Sequence, residues 1–92
     1  MKKILFSITL ISSTFFAFSQ NVGINSTGAL PDNSAGLDID YSDKGLLIPR
    51  VSLTSTTDVV TIPSPATSLL VYNTNAAMTG GAVGFWYYDG TA

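Results

Sequence analysis

The chain has no cysteine and no histidine, and its six acidic residues are all aspartate. Without cysteine there is no disulfide to support a small fold and no thiol for lipid attachment. Without histidine, zinc and copper sites are poorly supplied, and the nucleophile–base pairs of hydrolytic enzymes cannot be assembled from the usual parts. Charged residues make up 11% of the chain, against about 25% in an average soluble domain. Beyond residue 3 the only cations are Lys44 and Arg50. With no glutamate and so little lysine, the sequence lacks the residues that usually cover exposed helix faces. The few cations also exclude a nucleic-acid partner, because phosphate neutralisation needs clustered lysine and arginine.

What is present is apolar, hydroxylated and β-favouring. Residues 1–19 read as a secretory signal. Lys2 and Lys3 form the positive start, Ile4–Phe18 the apolar stretch, and Ala17 and Ser19 supply small residues ahead of a cut near Ser19 and Gln20. An uncleaved anchor is the alternative. However, the apolar stretch is interrupted by Ser7, Thr9, Ser12, Ser13 and Thr14, and a membrane span needs about twenty mostly apolar residues. Cleavage leaves Lys44 and Arg50 against the six aspartates, a net charge of −4. It also leaves a span too short to bury a self-sufficient core, so partner chains or a further domain are expected to shelter it.

Alternating apolar residues predict a strand at Asn21–Asn25, with Val22 and Ile24 on one face, and another at Leu37–Tyr41, with Asp38 and Asp40 turned to solvent. Turn formers between them predict a loop over Ser26–Gly36. Two denser apolar runs follow, Gly45–Leu53 and Leu69–Tyr72. They read as strands covered on both faces, with Leu46, Leu47, Ile48, Leu69, Leu70 and Val71 as the expected core. Pro49 within the first run points to an edge, a bulge or a bend. Residues Thr54–Thr61 allow a short helix or a strand, and their β-branched residues favour strand or irregular; Pro63-Ser-Pro-Ala66 reads as a rigid break. Val83–Tyr88 is an aromatic strand, and Leu69–Asn73 is expected to pair with Gly84–Tyr88 as a hairpin. The expected fold is therefore mainly β: a small irregular module with short strands and long loops over residues 20–92, following an N-terminal signal helix.

Candidate chemistry is thin. Asp38, Asp40 and Asp43 loosely follow a calcium loop, but Asp43 stands where that loop needs glycine and Pro49 where it needs a bidentate glutamate. No metal or other cofactor is assigned. The same aspartates as a glycosidase pair would need a cleft that so short a chain can hardly enclose. No catalytic residue is assigned, and the chain is not read as an enzyme. Asn25-Ser-Thr27 matches the N-glycosylation acceptor, a tripeptide common by chance in a Ser/Thr-rich chain. Arg50 is expected in a salt bridge with an aspartate such as Asp38 or Asp40. In the run Phe85-Trp-Tyr-Tyr88, alternation puts Phe85 and Tyr87 on one face and Trp86 and Tyr88 on the other. An exposed Trp86 and Tyr88 would offer a stacking platform for a surface glycan or an anchor for a protein partner, whereas packing in a sheet or subunit contact is the simpler role.

Five blocks in order carry a family resemblance. They are Asn21-Val-Gly-Ile24, Ala35-Gly-Leu-Asp-Ile39, Lys44-Gly-Leu-Leu-Ile-Pro-Arg50, Ser64-Pro-Ala-Thr-Ser-Leu-Leu-Val-Tyr-Asn-Thr74 and Gly84-Phe-Trp-Tyr-Tyr-Asp-Gly-Thr-Ala92. Together they resemble the N-terminal region of secreted surface proteins of Bacteroidota. Similar segments occur in phage tail-fibre-like proteins, often ahead of an intramolecular chaperone domain of the endosialidase type. The resemblance implies a fibrous, homotrimeric, non-catalytic surface protein, structural or adhesive. Its partners would be copies of itself or a downstream domain of the same polypeptide. Such segments usually continue past the final Gly-Thr-Ala, so the chain reads as an N-terminal fragment.

Overall fold

The computed structural model describes residues 20–91. The expected signal helix lies outside them. Every regular element among the described residues is a short strand, as the scarcity of helix formers predicts. The chain divides into two compact units after Gly45.

The first unit is built on two strands, β1 (Val22–Asn25) and β2 (Leu37–Asp40). They pair in parallel, Val22 opposite Leu37 and Ile24 opposite Ile39. Parallel neighbours require a crossover, usually of a dozen residues or more, and here the loop from Ser26 to Gly36 supplies it. Side chains of the loop's own turn formers hold its shape. The Asn25 Oδ1 accepts from the Thr27 and Gly28 amides, and its Nδ2 donates to the Ala29 carbonyl. The Asp32 carboxylate accepts from the Ser34 amide and hydroxyl. The Asp32 amide in turn donates to Asp38 Oδ2 at 2.9 Å, so Asp38 is half-buried rather than simply turned to water.

The second unit is a three-stranded sheet in the order β3 (Arg50–Val51), β4 (Leu70–Asn73), β5 (Gly84–Tyr87). β3 runs parallel to β4, and β4 and β5 form the antiparallel hairpin expected from the sequence, Leu70 opposite Tyr87 and Tyr72 opposite Phe85. The Ser68 amide donates to the Tyr88 carbonyl at 2.6 Å and the Tyr88 amide to Leu69 at 2.9 Å, prolonging the pairing. Pro49 precedes an edge strand, where its missing N–H leaves no gap in the ladder; its carbonyl accepts from Tyr72. Residues 54–61 are irregular, tied to the rest by an isolated bridge between Ser55 and Thr79.

The core departs from expectation. Of Leu46, Leu47, Ile48, Leu69, Leu70 and Val71, only Val71 is buried, and its companion is Met78 from the long loop. Leu46, Leu47 and Ile48 belong to no strand, and Leu46 and Leu47 are exposed. Pairing to β4 begins at the Pro49 carbonyl, and the register runs from Arg50 opposite Tyr72. Leu70 is exposed on the face of β4 opposite Val71, while Leu69, one residue before β4, keeps 36% of its surface exposed.

Candidate interaction surface

Along β4 and β5 successive side chains alternate between faces, and the register decides which ones share a side. Val71 and Asn73 point to the covered face with Trp86, while Leu70 and Tyr72 point to the other face with Phe85 and Tyr87.

The covered face is closed by the loop between the two strands. Its keystone is Asn73, which is fully buried. Its Oδ1 accepts from the Leu53 and Asn75 amides, both at 3.0 Å. Its Nδ2 donates to the carbonyls of Asn75 and Ala82 and contacts the Met78 sulfur. Asn75 extends the network, its Nδ2 donating to the Leu53 carbonyl at 2.7 Å. No buried side-chain polar atom among the described residues lacks a partner. A ten-residue loop without regular structure is long for a hairpin, and these bonds replace the tight turn that normally sets register. Trp86 belongs to the same assembly. Its indole N–H donates to the Ala82 carbonyl at 2.8 Å, and its ring lies so close to Gly81 that a Cβ there would stand 2.8 Å from Cζ2 and 2.7 Å from the Met78 sulfur.

The opposite face carries Leu70, Tyr72, Phe85 and Tyr87. Phe85 and Tyr87 are each 69% exposed. The Tyr72 and Phe85 rings meet edge to face, 5.2 Å between centroids and 82° between planes, a favourable aromatic geometry. Beside them an apolar recess is lined by Leu46, Leu47, Ile48, Arg50, Tyr72 and Phe85, with Leu47 79% exposed at its rim. Arg50 is the unit's only cation; its Nη1 donates to the Ile48 carbonyl at 3.2 Å. Single exposed apolar residues are ordinary; a contiguous group of leucines and aromatics makes this face the candidate.

The residues singled out from sequence, Trp86 and Tyr88, are half-buried. They wall a groove with Phe85, Tyr87, Thr56, Thr57, Asp89 and Thr91. The fully open aromatics are Phe85 and Tyr87. Alternation separates the two pairs correctly, but no local pattern says which pair the loop will cover.

The aspartates with displaced acidity sit in turns. Thr61 holds the Asp58 carboxyl far below its ordinary value, first through its hydroxyl at 2.6 Å and then its amide, with the Thr54 and Val60 amides adding to the effect. The Ser34 hydroxyl and amide lower Asp32 in the same way, and those of Thr91 lower Asp89. All are surface turn carboxylates saturated with donors, a structural arrangement. Among the described residues no acidic side chains are grouped to hold a metal ion.

Residues 23–92 match the model of a family described as a phage tail like trimerisation region. No curated protein and no solved structure matches the chain.

Proposed function

The chain belongs to the phage tail like trimerisation region family, and from that premise we propose that it is a structural, non-catalytic module of a tail-fibre-like protein that assembles as a homotrimer through the open face of β4 and β5. One observation carries the reading: Leu70, Phe85 and Tyr87 lie exposed together around the half-buried Tyr72 in a chain whose family is defined by trimerisation. Identical copies bring identical charges together, so a self-associating face must avoid unpaired charge at its centre. This face meets that requirement: its centre is aromatic and aliphatic, and Arg50 stands at the edge strand. The recess beside Tyr72 and Phe85 would take an apolar side chain of the neighbouring copy.

Light scattering on the purified chain tests the proposal. The expected mass is three times that of the single chain at micromolar concentration. Phe85→Asp, which would gather three carboxylates in the contact, is expected to yield monomers or unfolded chain. A wild-type monomer that unfolds cooperatively would overturn it.

Export to the cell surface belongs to the same proposal, supported by the charged and apolar pattern of residues 1–19. A second reading, adhesion to a surface glycan, draws on the groove where Trp86 and Tyr88 stand beside the hydroxyls of Thr56, Thr57 and Thr91. Rings flanked by hydroxyls suit a sugar; absence of wild-type binding on a glycan array would remove this reading.

A further inference from the structure

In the first unit the coverage of the β-sheet is inverted. The loop from Ser26 to Gly36 returns over the polar face of β1 and β2. There the Pro31 ring lies against Gly23, where an added Cβ would come within 3.0 Å of Pro31 Cδ, and the Asp32 amide is bonded to Asp38. Gly23, Asn25, Asp38 and Asp40 share that face by register. The other face holds Val22, Ile24, Leu37 and Ile39, and the chain leaves Val22 51%, Ile24 45% and Leu37 55% exposed. A loop that serves a monomer is expected to cover the apolar side. Parallel strands are ordinarily sheltered on both faces, and a two-stranded sheet by itself is marginal in water. Something outside this unit must therefore occupy the stripe.

Given the trimer proposed above, we infer that the occupant is a second copy of the same stripe: Val22, Ile24, Leu37 and Ile39 of three chains face one another across the trimer axis. The contact is separate from that of the β4–β5 face. Two observations select a copy of this chain over another partner. The family match begins at the second residue of β1 and continues through β2, so Ile24, Leu37 and Ile39 lie inside the trimerisation region and Val22 directly adjoins it. The stripe is also free of charge and of side-chain hydrogen-bonding groups, whereas Asp38 and Asp40 stand on the opposite face. An uncharged stripe can meet its own copies without repulsion, and it offers no polar feature by which to specify a different partner.

The absence of cysteine from the chain makes the test direct. A disulfide forms only where Cα atoms approach to about 4.4–6.8 Å. Ile24→Cys and Leu37→Cys place a thiol on the stripe, Asp40→Cys places one on the opposite face, and Phe85→Cys reports on the β4–β5 contact. Under mild oxidation of the full chain, both stripe variants should form covalent dimers at least about tenfold faster than Asp40→Cys, because the trimer holds their thiols at high effective concentration. Three copies leave one thiol unpaired, so the dimer should hold at most about two thirds of the chain. If the protein is trimeric by light scattering but both stripe variants stay uncross-linked, the inference is overturned and the trimer stands. If the protein is monomeric, both fall.

Discussion

At the scale of single residues, Asn73 does more than any other described side chain to set the second unit's geometry. It satisfies the Leu53 and Asn75 amides and the Asn75 and Ala82 carbonyls from a fully buried position. Its removal strands groups that water cannot easily reach, at about 1–3 kcal/mol each where they stay buried. Asn73→Ala is expected to lower stability by about 2–4 kcal/mol, read from urea unfolding at fixed chain concentration. Asn73→Asp preserves the acceptor facing Leu53 but turns an anionic oxygen toward the Asn75 and Ala82 carbonyls; it should be more damaging at neutral pH than at pH values low enough to protonate it. This role could not be read from the sequence, where Asn73 is one more turn former after an apolar run. Its partners lie at positions 53, 75, 78 and 82, and only the fold brings them to one side chain. Trp86 makes the same point. Its place on the strand was legible, but its bond to Ala82 and its packing on Gly81 depend on the path of the loop.

At the scale of elements, local chemistry accounts for most of what forms. Alternation locates β1 and β2, and two apolar runs and an aromatic run locate β4, β5 and the approach to β3. Turn formers locate the loops. The segment 54–61 stays irregular: beyond its bridge to Thr79, its hydrogen bonds close locally around Asp58. That carboxylate's folded pKa is depressed below the ordinary 3.8, so its contribution to stability is fully present above 3.8 and is lost as pH falls below that value toward the folded pKa. Asp58→Asn is expected to be less stable than wild type at neutral pH, with the difference narrowing as pH falls below 3.8; parallel thermal melts across that range check it. The group is exposed, so solvent screening keeps the effect modest. The element that differs from expectation is the run Leu46–Ile48. Hydrophobicity shows that a segment seeks cover, but not whether the cover comes from its own chain, and here it forms no strand and lines a recess instead.

At the scale of the whole molecule, the buried apolar side chains among the described residues are Val71 and Met78, too few to sustain independent folding units. Folding and association are therefore expected to be one event. The melting temperature should rise with chain concentration, by about 5–8 °C per tenfold increase for a trimer with an unfolding enthalpy of about 0.7 kcal/mol per residue. A melting temperature independent of concentration in calorimetry would contradict coupled assembly. The sequence by itself determined the class of the molecule: β-rich, free of cross-links, short of charge, with more apolar surface than so small a chain can bury. Those properties are sums over residues or periodicities along a few of them, and no fold is needed to read them. The tertiary structure alone decided which apolar residues remain uncovered, placing the loops over Asn73 and Trp86 in one unit and over Gly23 and Asp38 in the other. A strand's alternation defines two faces but is symmetric between them. Only the return path of the connecting loop breaks that symmetry, and contacts distant in sequence set that path.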